Sequence, residues 1–209
     1  MGSFILFQDG NPILIDIGSG TYTSQTFGSH RYELFYMQSQ YHNCPTINDV
    51  QQGHDGTYSS HNTTLNQLPN NQGFHFQSDI AGAYLATAHV NHWIRSIQFN
   101  QSSNVIQLDD RFELNQQITS QKLNFIIYRE VVIDKTDYGL HLHQPDNKVN
   151  LRMELDWNMV QMNVEEKSLE GDYHQTQFWG DYVKRLILTM VNHSGELNGH
   201  FSVRFVAAK

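Results

Sequence analysis

Val105–Leu114 reads VIQLDDRFEL. Apolar and polar side chains alternate along it, and period two is the mark of a strand with one face buried. Nearly every other periodic stretch of the chain has the same period. Phe4–Phe7 and Ile13–Ile17 flank Asp9-Gly10, a dipeptide that supplies the positive φ angles of a tight hairpin turn. Arg31–Gln40 sets Tyr32, Leu34, Tyr36 and Gln38 against Glu33, Phe35, Met37 and Ser39. Both faces carry large side chains, which predicts a strand covered on both sides. Strand-like segments recur over Gly73–Ser78, Ala88–Asn100, Lys122–Asp134, Tyr138–His143, Lys148–Asn158, Met159–Val164, Lys184–Asn192 and Gly199–Ala207.

Turn signals between such segments predict an all-β fold, an antiparallel β-sandwich of two stacked sheets with little or no helix. Ile80–His89 (IAGAYLATAH) is the best helical candidate. His54–Gly73 is polar and without period, and reads as a long irregular loop that would cover a cleft or act as a flap. No linker or repeat divides the chain, so residues 1–209 form one domain. The 209 residues suffice to bury a core without a disulfide or metal staple.

Thirteen Lys and Arg face 21 Asp and Glu, a formal charge of −8. Without a basic run, a nucleic-acid backbone is an unfavourable partner. No apolar run approaches the ~18 residues of a membrane-spanning helix. The start, MGSFILFQDGNPILI, has neither the charge nor the cleavage site of a signal peptide. Cys44 is the only cysteine, so no intrachain disulfide forms. Location stays open between cytoplasm, periplasm and secretion.

The candidate chemistry gathers around YMQSQYHNCPTIND, Tyr36–Asp49. His42 stands where a strand would end. A histidine there projects into a cleft, or else bonds the turn that Pro45 and Asn48 create; both readings stand. Asp79, in SDIAGAY, is a turn cap, a metal ligand or a partner that orients a histidine. Arg95, beside Trp93, forms a structural ion pair or binds a carboxylate. His141 and His143 share a strand face, but zinc needs three or four ligands; the alternative is two exposed histidines. A Ser-His-Asp arrangement finds no GxSxG, and a Cys44 nucleophile is disfavoured.

FILFQDGNPILIDIGSGTYTSQTFGSHRYELFYMQSQYHNCPTIN resembles the start of the β-sandwich domain of heparinase II/III-like proteins, which are polysaccharide lyases and their relatives. The matching elements are Asp16 to Gly18, Gly20 to Thr23, Arg31-Tyr32, Ser39 to Asn43, Asn48-Asp49 and Gln51 or Gln52. SDIAGAY, HWIRSIQF followed by VIQLDDRFEL, and WGDYVKRLIL extend the resemblance over most of the chain.

The resemblance implies a longer protein in which an N-terminal (α/α) toroid packs against this sandwich. Met1-Gly2-Ser3 would then precede a domain cut from that longer chain. It implies β-elimination of an acidic polysaccharide in a cleft between the two domains, with a base, an acid and a neutralised uronate carboxylate. The toroid contributes a Tyr and an Asn, and the sandwich a His. His42 takes that role here, with Gln40, Asn43 and Arg95 as substrate-binding residues. In some members this histidine instead binds a structural divalent metal, zinc or calcium, and Asp79 matches a second ligand. Tyr128 and Arg129 stand where a third would be, and Gln40 stands where such members carry the reacting histidine. The alternatives are a non-catalytic carbohydrate-binding or scaffold module, for which Tyr22, Tyr58 and Trp179 would form a platform, and a self-contained metal enzyme. A homodimer is compatible with either.

Overall fold

Asp9 and Gly10 both take positive φ, 50° and 82°. They close the hairpin of β1 (Leu6–Gln8) and β2 (Asn11–Leu14), with the Asn11 amide donating to the Gln8 and Asp9 carbonyls. The computed structural model describes residues 1–191 and 196–207. Further strands are β3 (Pro45–Thr46), β4 (His61–Gln67), β5 (Gly73–Asp79), β6 (Val90–Asn100), β7 (Val105–Leu114), β8 (Lys122–Ile127), β9 (Val132–Thr136), β10 (Gly139–His143), β11 (Asn150–Glu154) and β12 (Val160–Ser168). The helix α1 (Tyr173–Trp179), β13 (Tyr182–Met190) and β14 (Asn198–Ala207) complete the chain. Asn192, the last residue of the segment expected over Lys184–Asn192, lies outside the described residues.

The strands form two antiparallel sheets. One has six strands, in the order β1-β2-β8-β13-β12 with β3 added beside β8; the other has eight, β4-β5-β6-β7-β14-β11-β10-β9. The expected all-β sandwich is therefore the fold. Leu14, Leu123, Phe125, Leu186 and Leu188 of the first sheet meet Trp93, Leu108, Phe112, Val203 and Phe205 of the second in one core. The six-stranded sheet is covered on its other face too. There Ile15, Ile17, Ile126 and Val183 lie under Tyr36, Leu169 and Trp179.

Three segments depart from expectation. Arg31–Gln40 is not a strand but successive 3-10 turns over Arg31–Glu33, Phe35–Met37 and Ser39–Tyr41. Its backbone bonds stay local, such as Met37 N to Leu34 O and His42 N to Ser39 O. Leu34, Phe35, Tyr36 and Met37 roof the second core. His54–Gly73 is not one irregular loop, since it contains β4. Every residue of β4 is exposed, so no face needs to be apolar and no period appears. Ile80–His89 makes two short 3-10 turns, Ala81–Ala83 and Ala86–Ala88, rather than a helix.

Within β7 the inward row is Leu108, Asp110, Phe112 and Leu114. Asp110 is fully buried and meets Arg95, its register partner on β6. Arg95 Nε donates to Asp110 Oδ1 at 2.9 Å and Nη2 to Oδ2 at 2.7 Å, a fork-on-fork pair. Nη1 donates to the carbonyls of Gly2 and Asn43, both at 2.8 Å. Burial works against the guanidinium charge, but Asp110 outweighs it and holds Arg95 above its ordinary pKa. Removing one member of a buried pair strands the other. Arg95→Met is thus expected to cost about 3–5 kcal/mol in urea unfolding, and adding Asp110→Leu to restore most of it.

Candidate functional site

His42 follows the last 3-10 turn, with extended backbone (φ −124°, ψ 170°). Its ring lies between two acceptors. Nδ1 is 3.0 Å from Asp16 Oδ2, and Nε2 is 3.1 Å from the Tyr36 carbonyl oxygen. A carboxylate and a carbonyl only accept, so the ring satisfies both when both nitrogens carry hydrogen. His42's hydrogen bond, reinforced by its charge and the Gly18 amide, outweighs burial and holds the Asp16 carboxyl below its usual range. The His42 side chain keeps 24% of its surface exposed.

The loop beside this pair is fixed by Asp172, which caps α1 through the Gln175 amide and accepts from the Thr21 amide and hydroxyl. A Cβ on Gly20 would stand 2.2 Å from Asp172 Oδ2 and 2.5 Å from the Tyr36 ring, which is why glycine sits there.

Gln40 lies on the same turn, two residues before His42. Its amide donates to Gln38 Oε1, and its oxygen is 3.4 Å from Arg185 Nη2. Arg185 also donates to Asn124 Oδ1 and Glu165 Oε2, with its guanidinium 5.0 Å from the Tyr41 ring centroid. Lys167 lies over Phe35, 4.4 Å from its centroid. Cationic groups therefore flank Gln40 and Tyr41 on this face although the chain as a whole is acidic.

Asn43 and Arg95 are turned the other way. Asn43 is fully buried, its amide donating to the Phe4 and Ile15 carbonyls and its oxygen accepting from Ile126 N at 2.7 Å. With Arg95 committed to Asp110, Gly2 and Asn43, these two expected substrate-binding residues join the sheets instead of facing a cleft. Cys44 is buried, and burial pushes its thiol up, away from the nucleophilic thiolate.

Asp79 is both cap and histidine partner, but the histidine is His92. Oδ1 accepts from the Ala81 and Trp93 amides, each at 3.1 Å, and Oδ2 is 2.7 Å from His92 Nδ1. His42 and Asp79 thus belong to separate pairs. With both His42 ring nitrogens engaged and Asp79 committed to His92, the two are not grouped as metal donors among the described residues. Among the described residues, the group of three donors with metal-like spacing is Asp134, His141 and His143.

An apolar groove lies elsewhere, a cavity of about 780 Å³ whose lining includes Phe7, Leu65, Phe74 and Phe205. Asp9 is its one titratable lining residue.

Sequence reasoning singled out His42 and Gln40 at the end of an expected strand but missed their partners. Asp16 is 26 positions from His42, and Arg185 is 145 from Gln40. No spacing rule reaches such contacts.

These features define a two-layer β-sandwich whose overlaid face carries a His–Asp pair. The family model described as heparinase II/III-like, C-terminal, matches residues 1–191, and the chain belongs to that family. Among solved structures it is similar to a crystal structure of a mutant of the heparan sulfate lyase HepC from Pedobacter heparinus, with a TM-score of 0.69 and 16% identity. The match covers 98% of this chain and 30% of that one, so the chain spans under a third of that relative's length. At this identity the likeness is one of fold. No curated protein matches the chain.

The Asp79–His92 pair gives a pH test. Burial works to raise the Asp79 carboxyl, but His92 and the Trp93 and Ala81 amides outweigh it and hold it below its usual range. Asp79's hydrogen bond and charge raise His92. The histidine's contribution is complete below its unfolded pKa and is lost as pH rises through its folded value. The carboxylate's is present above its unfolded value and is lost as pH falls through its folded one. The pair is therefore strongest between the depressed Asp79 value and the raised His92 value. In an NMR titration the His92 ring should titrate above a free histidine, and Asp79→Asn should bring it back down.

Proposed function

We propose that the chain is the sandwich part of a polysaccharide lyase that cleaves a uronic-acid-containing polymer by β-elimination, with His42 facing a cleft completed by an (α/α) toroid domain. The observation that carries this reading is the His42 ring, partly exposed and held by an acidic partner on a rigid turn.

Elimination removes the proton α to the uronate carboxylate and expels the glycosidic oxygen. Between two acceptors, and paired with Asp16, His42 suits the donor side of this chemistry: protonating the leaving oxygen or neutralising the carboxylate on which charge grows. Nε2 rests on the Tyr36 carbonyl, so acting on sugar means exchanging that contact for a substrate oxygen. Asp16 is a positioning residue, since it touches only the imidazole. Gln40, beside His42 and next to Arg185, is the substrate-contact candidate on this face. An acidic domain disfavours a polyanion, so the toroid would supply most of the basic cleft.

The test is the sandwich joined to its toroid, assayed on uronate polymers by absorbance of the unsaturated product. His42→Ala should lower kcat by about 10²–10⁴. Asp16→Asn should shift the pH profile with a smaller loss. Full activity in His42→Ala would overturn the assignment.

Exposed Tyr22 (68%) and Phe27 (79%), with ring centroids 5.7 Å apart, favour a second reading, a carbohydrate-binding or structural module without catalysis. On that reading Tyr22→Ala and Phe27→Ala would abolish sugar retention while the joined protein showed no turnover. Of the other platform candidates, Trp179 packs against Tyr128 and donates to the Ile17 carbonyl, and Tyr58 is only partly exposed.

A further inference from the structure

We propose that Asp134, His141 and His143 form a zinc-binding site on the outer face of the eight-stranded sheet. It is separate from His42 and Asp79 and independent of any sugar chemistry.

The site follows from strand geometry. His141 and His143 are two residues apart on β10 and project from one face, while Leu140 and Leu142 point into the core. β9 pairs antiparallel with β10 in the register His141↔Asp134, so the carboxylate rises on the same face. One donor atom from each of the three lies within 4.8 Å of the others. Asp134 Oδ2 is 2.8 Å from His143 Nε2, and the two imidazoles are stacked, with centroids 4.6 Å apart and planes at 21°.

Asn150, opposite His143 on β11, has its side-chain oxygen 2.8 Å from His141 Nε2. An outer hydrogen bond of this kind fixes the ring and tautomer of metal-ligating histidines. Arg152, the register partner of His141 on β11, is the cation facing the site, and Glu154 draws it aside at 3.5 Å. The cluster itself thus carries one carboxylate and two imidazoles.

Two imidazoles and one carboxylate suit zinc better than calcium or magnesium, which prefer all-oxygen shells. Three protein donors leave a fourth position for water, and the half-exposed Asp134 gives the ion a path from solvent. β9 is the last strand of its sheet, paired on one side only. The ion would staple this edge to β10, which otherwise holds it by five register pairs.

The experiment is calorimetric titration of the chain with zinc chloride, with cobalt(II) absorption in the visible as a readout of tetrahedral coordination. One equivalent per chain, with His141→Ala, His143→Ala and Asp134→Asn each weakening binding at least about tenfold, is the expected result. His200→Ala, which alters a surface His–Asp pair on another strand, should leave binding unchanged. The three ligand side chains face solvent, and circular dichroism would verify that the variants fold. Absence of saturable zinc binding, binding that survives all three substitutions, or tighter binding of calcium than of zinc would overturn the proposal.

Discussion

The two sheets are tied through one buried guanidinium. Arg95 stands on β6 in the eight-stranded sheet, neutralised by Asp110 on β7, and its remaining nitrogen reaches across to the Gly2 and Asn43 carbonyls. Asn43 in turn bonds Phe4, Ile15 and Ile126, the backbone at the margin of the other sheet. Hydrophobic contact holds the layers together but is indifferent to small slides between them. Directed bonds from a charge that cannot be left unpaired fix how the layers sit. Asn48 works in the same way, with its side chain joined to Ala88, Gln116, Ile118, Thr119 and Gln121.

That constraint positions the candidate site. His42 immediately precedes Asn43, so the imidazole is anchored one residue from the polar hub. The 3-10 turns before it are pinned by Tyr36 in the second core and by the loop that Asp172 holds. The ring is thus held in a frame that is fixed on both sides.

The faces of the sandwich divide their roles. The covered face of the six-stranded sheet carries the His–Asp pair and the nearby cations. The exposed face of the eight-stranded sheet carries surface His–Asp pairs, His143–Asp134 among them. The histidine richness of the chain is therefore not one feature. His42 and His92 are held by single carboxylates, whereas His141 and His143 meet as a cluster.

The sequence by itself determined the strand content, the Asp-Gly hairpin and the two-sheet architecture, because period-two alternation and turn chemistry are local and survive in any tertiary setting. It also singled out His42 and Gln40 on one short stretch. It misread Arg31–Gln40, whose large residues on alternate positions mimic a doubly covered strand, and β4, whose full exposure removes any pattern. Only the tertiary structure decided that Asp16 holds His42, that Asp79 serves His92, that Arg95 faces inward, and that Asp134 joins two histidines. Those pairings depend on register and on packing between segments up to 93 residues apart, and the local sequence does not name the partner.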